Sequence, residues 1–372
     1  MASEAPLLPQ MIKTPIVELL GIRHPVLLAG MNLSGSELAA AVSNAGGLGV
    51  IGGVQKTPKM LRREIDELKA LLATPDTPFG VDLLLPQVGG SARATNHDYT
   101  NGELPALIDI IIESKAKLFV SAVGVPPRWV VDKLHAAGIV CMNMIGSVRN
   151  AQKAVEAGMD ILCAQGTEGG GHTGEVATMV LIPQVVDFVR GKNSPLTGKQ
   201  IPVVAAGGIH DGRGVAASLA LGAQAVWVGT RFAATHEAKT PTRHLEAIVK
   251  AKSDQTVRST IYTGRPMRVL QNTMNMDWEN NRKKEMLELQ SKGIIPFTVD
   301  ERILPKEGEE ASASKLAEYM PLLMGQVAGS ITEILPARVV LNKLVVDAAE
   351  ILKKNSTYLV AAPAAPSYSA RL

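Results

Sequence analysis

Through the first 230 positions, short apolar runs rich in β-branched residues recur at intervals, and a helix-like stretch follows each one. The runs are PVLLAG (25–30), LGVIGG (48–53), PFGVDLLL (78–85), LFVSAV (118–123), VCMNMIG (140–146), ILCAQG (161–166), VVAAGG (203–208) and AVWVGT (225–230). They are continuously apolar rather than alternating, the mark of strands covered on both faces. Stretches between them, such as GSELAAAVSNAG and PRWVVDKLHAAG, have helical character and predict crossovers. Eight βα units predict an α/β fold closed as a (β/α)8 TIM barrel. An open doubly wound sheet is the alternative, and the count of eight favours closure.

After residue 235 the rhythm stops. KTPTRHLEAIVKAKSD, DWENNRKKEMLELQSKG and PKEGEEASASKLAEYM are polar, amphipathic pieces. They predict a small helical insertion after strand eight, over the barrel mouth. A long helix at roughly 326–354 then returns the chain to the barrel. The expected organisation is a barrel from 1–235 and 321–360, a helical insertion or lid at 236–320, and a flexible Ala/Pro-rich tail at 361–372.

Composition narrows the function. With 46% hydrophobic and 20% charged residues the chain can bury a large core. A net charge of +3, without basic blocks and interleaved aromatics, argues against a nucleic-acid partner. No apolar run reaches the ~18 residues a membrane span needs, and the N-terminus lacks the pattern of a secretory signal. Two cysteines in separate apolar runs, Cys141 and Cys163, fit a reducing compartment, so a cytoplasmic location is expected. The last residues, Ala370, Arg371 and Leu372, resemble the peroxisomal S-K-L address and would matter only in a eukaryote. A homo-oligomer is left open.

The candidate chemistry sits at strand C-terminal ends, where a barrel of this kind builds its active site. GLGVIG (47–52) matches G-x-G-x-x-G formally, but it follows a helix and is itself a strand, the reverse of a dinucleotide fingerprint. Gly207 and Gly208 after strand seven, and Gly229 and Thr230 after strand eight, fall in the two loops that commonly bind phosphate. Their backbone N–H groups and the Thr230 hydroxyl suit a dianion. Gly30 and Met31 end strand one, Asp82 lies in strand three and Gln165 ends strand six. Met31 could pack on a ring face, and Asp82 and Gln165 could hydrogen-bond a heterocycle edge. In CAQGTEGGGHTG, three glycines precede His172 and would let backbone pass close to a flat cofactor. His172 is then the natural proton acceptor near neutral pH. Glu168 either orients it or is solvated, and solvation is slightly favoured. There is neither an H-E-x-x-H zinc motif nor a G-x-S-x-G elbow, and no metal is expected.

Several stretches together resemble the nitronate monooxygenase family, also called 2-nitropropane dioxygenases. They are LAGM…ELAAAVSNAGGLGVIGG, PFGVDLLL, AQGTEGGGHTG, VVAAGGIHDGRG, AVWVGTRF and the late MPLLMGQVAGSI, in the right order over roughly residues 14–345. The resemblance implies a TIM barrel carrying non-covalent FMN. It implies His172 as the catalytic base, Gln165 and Gly170 as FMN contacts, and Gly207, Gly208, Gly229 and Thr230 as phosphate ligands. The implied reaction oxidises alkyl nitronates or nitroalkanes with O2 to a carbonyl compound and nitrite. Related flavin barrels instead pass hydride from NAD(P)H to an enoyl thioester or a quinone, which stands as the alternative. A flavin-free binding barrel is a further one. The chain departs from the family pattern at Asp82, where Asn is usual, at Gly169, where Ala is usual, and in AGMNLSGSEL.

Overall fold

The computed structural model describes residues 7–304 and 313–360. The expected tail at 361–372, with Ala370, Arg371 and Leu372, lies outside the described residues, as does part of the expected insertion. Among the described residues eleven strands run in chain order: β1 Val26–Leu28, β2 Gly49–Gly52, β3 Phe79–Leu84, β4 Leu118–Ala122, β5 Val140–Ile145, β6 Ile161–Gln165, β7 Gly171–His172, β8 Val203–Ala206, β9 Ala225–Val228, β10 Thr256–Ser259 and β11 Met267–Leu270. Eight of them form one parallel sheet in the order β1-β9-β8-β6-β5-β4-β3-β2. A bridge from Leu27 to Leu48 joins its two ends, with Leu28 N–H donating to the Leu48 carbonyl at 2.9 Å. The sheet is thus a barrel, and the open alternative is excluded.

Both faces of each barrel strand are apolar because each face has its own core. Leu27, Val50, Val120, Met142, Ile161 and Val204 belong to one cluster inside the barrel. Their sequence neighbours, among them Leu28, Ile51, Phe119, Cys141, Leu162 and Val203, pack outward against the helices. A strand buried twice cannot alternate polar with apolar residues. Three of the crossover helices carry side-chain N-caps. Thr57, Ser147 and Asp211 accept from the N–H of Met60, Asn150 and Gly214 and satisfy first-turn donors.

The segment after β9 departs from the sequence expectation. Helices are present at Thr242–Lys250, Thr273–Asn280 and Lys283–Ser291, yet β10 and β11 form an antiparallel hairpin between them. β11 also pairs with β7, so the hairpin joins the His172 loop to make a three-stranded sheet. The insertion is helical as expected, and the hairpin is an addition that the sequence reading did not contain. A ladder that pairs residue 172 with residue 267 leaves no local trace in either stretch. The returning helix is Ala337–Ser356, shorter at its start than expected, and a 3-10 turn, Gln326–Ser330, precedes it. The helix packs on Gly212–Ala220, where a Cβ on Gly212 would meet Asp347 Cβ at 2.4 Å.

Candidate active site

A cleft of about 2360 Å³ opens at the C-terminal ends of the barrel strands. All ten residues singled out in the sequence line it: Gly30, Met31, Asp82, Gln165, Gly170, His172, Gly207, Gly208, Gly229 and Thr230. They come from five different strand ends and meet because closure brings those ends to one rim.

The loop after β6 is more ordered than its glycines suggest. His172 sits not in a free loop but on β7, opposite Met267 of β11. The Gln165 side-chain amide donates to the His172 carbonyl at 3.0 Å and holds the loop against the barrel. Glu168 is not solvated: its carboxylate accepts from Thr178 N–H and from the Thr178 hydroxyl, capping helix Thr178–Val189. Gly170 supports a segment that crosses the loop. A Cβ there would stand 2.7 Å from the Met324 carbonyl carbon and 2.8 Å from Gly325 N, so only glycine lets that backbone close in. Gly325 N–H in turn donates to the Thr230 hydroxyl at 3.0 Å, and Gln326 N–H to the Glu168 carbonyl. Thr230, expected to face a phosphate, therefore also anchors this crossing segment.

Gly207 and Gly208 both take positive φ, +90° and +75°, which an L side chain rarely adopts. The Thr178 hydroxyl donates to the Gly207 carbonyl and fixes the turn. Gly229 lies beside Ala29 and the Met31 sulfur, each 3.5 Å from its Cβ position. Bare backbone on the β8 and β9 side of the cleft is the surface a phosphate-bearing ligand requires.

The electrostatics around His172 are the clearest feature. Its Nε2 lies 3.1 Å from the Thr263 hydroxyl. Burial first, and the nearby Arg265 cation second, lower its pKa from the ordinary 6.5 to about 4. The imidazole is therefore neutral and able to take a proton at neutral pH. Among the described residues the Arg265 guanidinium has no carboxylate partner: Nε donates to Asn96 Oδ1 at 3.0 Å and Nη1 to the Val123 carbonyl at 2.9 Å. Val123 directly follows β4 with φ +67°, a left-handed conformation that costs a β-branched residue of order 1–3 kcal/mol. Asn143 donates to Ser121 and to the Gly124 carbonyl and braces that turn. Deeper in the barrel, the Asp82 carboxyl is buried, and its Oδ1 has no hydrogen-bond partner.

Thr263 and Arg265 were not foreseen. They lie some ninety residues beyond His172, in a T-G-R-P turn that reads locally as a hairpin loop. That turn was the one signal available. A second titratable cluster, His135, Cys141 and Asp160, lies among the described residues on the helix side of β5 and β6. Its carboxylate is saturated by His135 Nε2, Cys141 N–H and the Ser194 hydroxyl, and burial pushes the thiol up. It reads as a structural junction.

The groups present fit a flavin: a roomy apolar cleft, bare backbone on one side for a phosphate, and an orphaned buried polar atom on the floor. The family model for nitronate monooxygenase matches residues 13–347. Among curated proteins, the chain is 39% identical over 262 residues to a (3aS,4S,5R,7aS)-5-hydroxy-7a-methyl-1-oxo-octahydro-1H-indene-4-carboxyl-CoA dehydrogenase of Rhodococcus jostii, covering 70% of this chain and 66% of that protein. Among solved structures, FabK of Thermotoga maritima superposes with a TM-score of 0.72 at 32% identity, covering 94% of this chain and all of that one. A nitroalkane oxidase of Streptomyces ansochromogenes superposes with a TM-score of 0.73 at 27% identity, covering 91% and 99%.

Proposed function

Given that the chain belongs to the nitronate monooxygenase family, whose members are flavin-dependent oxidoreductases, we propose that it binds FMN across the barrel mouth and oxidises alkyl nitronates with O2, yielding a carbonyl compound and nitrite. The flavin supplies the electron transfer between nitronate and O2. Gly207, Gly208, Gly229 and Thr230 hold its phosphate through backbone N–H groups and a hydroxyl. Gly30, Met31 and Gln165 border its ring, and Gly170 keeps the crossing segment tight against the loop.

His172 is the base. It takes the α-proton when a neutral nitroalkane binds, and its lowered pKa keeps it competent well into the acid range. Arg265 supplies the positive charge that an anionic nitro group seeks, beside the base and paired with no carboxylate among the described residues. A half-buried guanidinium binds such an anion more strongly than it would in water. The observation that carries the reading is this pairing: a neutral imidazole and an unpaired cation on one wall of the cleft. No helix among the described residues is long and apolar enough to cross a membrane. Two buried free thiols favour work in the reducing cytoplasm.

The test is His172→Gln with a neutral nitroalkane and with its pre-formed nitronate. The variant is expected to lose ~100-fold or more on the neutral form and little on the anion. Equal turnover of both would remove the base role. A second reading, reduction or dehydrogenation of a thioester, is favoured by one observation. The cleft is more than twice the ~300–1,000 Å³ usual for a small-molecule site, and FabK and a carboxyl-CoA dehydrogenase are among the relatives. Anaerobic bleaching by NADH but not by nitronate would select it.

A further inference from the structure

Asp82 is an ionisable group that the base chemistry leaves without a task. It belongs to β3, flanked in the sheet by Gly52 and Val120, and is 3% exposed. Among the described residues no cation approaches it, and its Oδ1 is buried without a partner. On the β1 side it occupies the space that Gly30 leaves open: a Cβ at 30 would fall 2.4 Å from Oδ2. The titratable side chain coupled to it is Cys163 of β6, whose thiol burial keeps protonated. Ala29, Val120 and Met142 belong to the apolar cluster that fills the barrel interior.

An unpaired carboxylate is costly in such surroundings, so the group neutralises instead. Burial pushes its pKa up to about 8. At neutral pH the side chain is then a carboxylic acid with an O–H to donate. Buried donors take acceptors. None is present for it among the described residues, and the open direction is the cleft that Asp82 lines.

We propose that Asp82 is a neutral carboxylic acid that donates a hydrogen bond to an acceptor on the bound flavin ring, so that its ionisation sets the pH range over which the flavin is held. This rests on the flavin reading above. Once ionised, the carboxylate opposes a ring acceptor with a second acceptor and a negative charge. Flavin affinity then falls as pH rises, because binding requires one proton on the protein. Asparagine at this position offers an amide N–H donor that does not titrate.

The test uses the full-length flavoprotein. FMN release is followed by recovery of flavin fluorescence from neutral to alkaline pH, in the wild type and in Asp82→Asn. The wild-type dissociation constant is expected to rise ~tenfold per pH unit above the titration of Asp82, and that of the variant to stay flat over the same range. Infrared spectra at neutral pH are expected to show a protonated-carboxyl band in the wild type that the variant lacks. A flat wild-type profile, an equally steep variant or an absent band would overturn the proposal. Absence of FMN binding by the wild type at every pH would overturn the flavin reading itself, a different outcome from binding without pH dependence. Both wild-type measurements stand even where the variant misfolds.

Discussion

Replacing Gly30 with alanine drives a methyl group into the space that Asp82 fills. The new Cβ falls 2.3 Å from Asp82 Cβ, 2.4 Å from Oδ2 and 2.8 Å from Cγ. Carbon atoms in contact stay ~3.5–4.0 Å apart, so the nearest pair overlaps by about 1 Å. Rotating the Asp82 side chain does not relieve the closest contact, because its Cβ moves only with a backbone fixed between β2 and β4. The strain must move a strand. Overpacking of this kind costs ~1–3 kcal/mol, and the closeness of the carbons points to the upper end. The origin can be dissected in a double-mutant cycle. Asp82→Gly removes all three clashing atoms and should recover ~2 kcal/mol of the cost of Gly30→Ala. Asp82→Ala keeps the nearest atom and should recover distinctly less. Urea unfolding of the wild type, the three single variants and the two doubles, followed by circular dichroism, supplies the free energies. A cost for Gly30→Ala below ~0.5 kcal/mol would refute the steric account, as would equal recovery by both Asp82 substitutions.

Two further outcomes follow from the buried charges. His24 is fully buried with neither ring nitrogen in good hydrogen-bond geometry among the described residues, and burial lowers its pKa to about 4, as it does for His172. The unfolded chain titrates each imidazole near 6.5, so between about 6.5 and 4 it binds more protons than the native state. Stability is complete above that window and falls as pH drops through it, by at most ~3 kcal/mol for each histidine. His24→Phe should shrink the stability difference between neutral and mildly acidic urea titrations, and an unchanged difference would contradict this account. Arg265→Met removes the cation that adds to the burial effect on His172. The imidazole titration seen by NMR should move up yet stay below the ordinary value, because burial is the larger cause; a shift downward or none would count against it.

Much of the candidate site was legible in sequence order. Continuous apolar runs located all eight barrel strands, and the glycines and polar residues at their ends marked the rim. Those residues reached one cleft because a barrel gathers every strand C-terminus to the same side. What failed had non-local causes. Gly170 looked like room for a ligand, and its bare Cα also admits Met324–Gly325, a segment more than 150 positions later. Glu168 looked solvated because its partner, Thr178, opens a helix whose start the local pattern does not mark. β10 and β11 were hidden inside a polar stretch because one of their ladder partners is the two-residue β7.

By itself, then, the sequence determined the class of fold, the places of the buried strands and the identity of the groups able to do chemistry. These follow from local periodicity and side-chain type, which every stretch carries wherever it lies in space. Only the tertiary structure decided the protonation states: a neutral His172 beside Arg265, and an Asp82 without a partner behind Gly30. Burial and neighbouring charge set the free energy of an ionised form, and both depend on which distant segments the fold brings within a few ångströms.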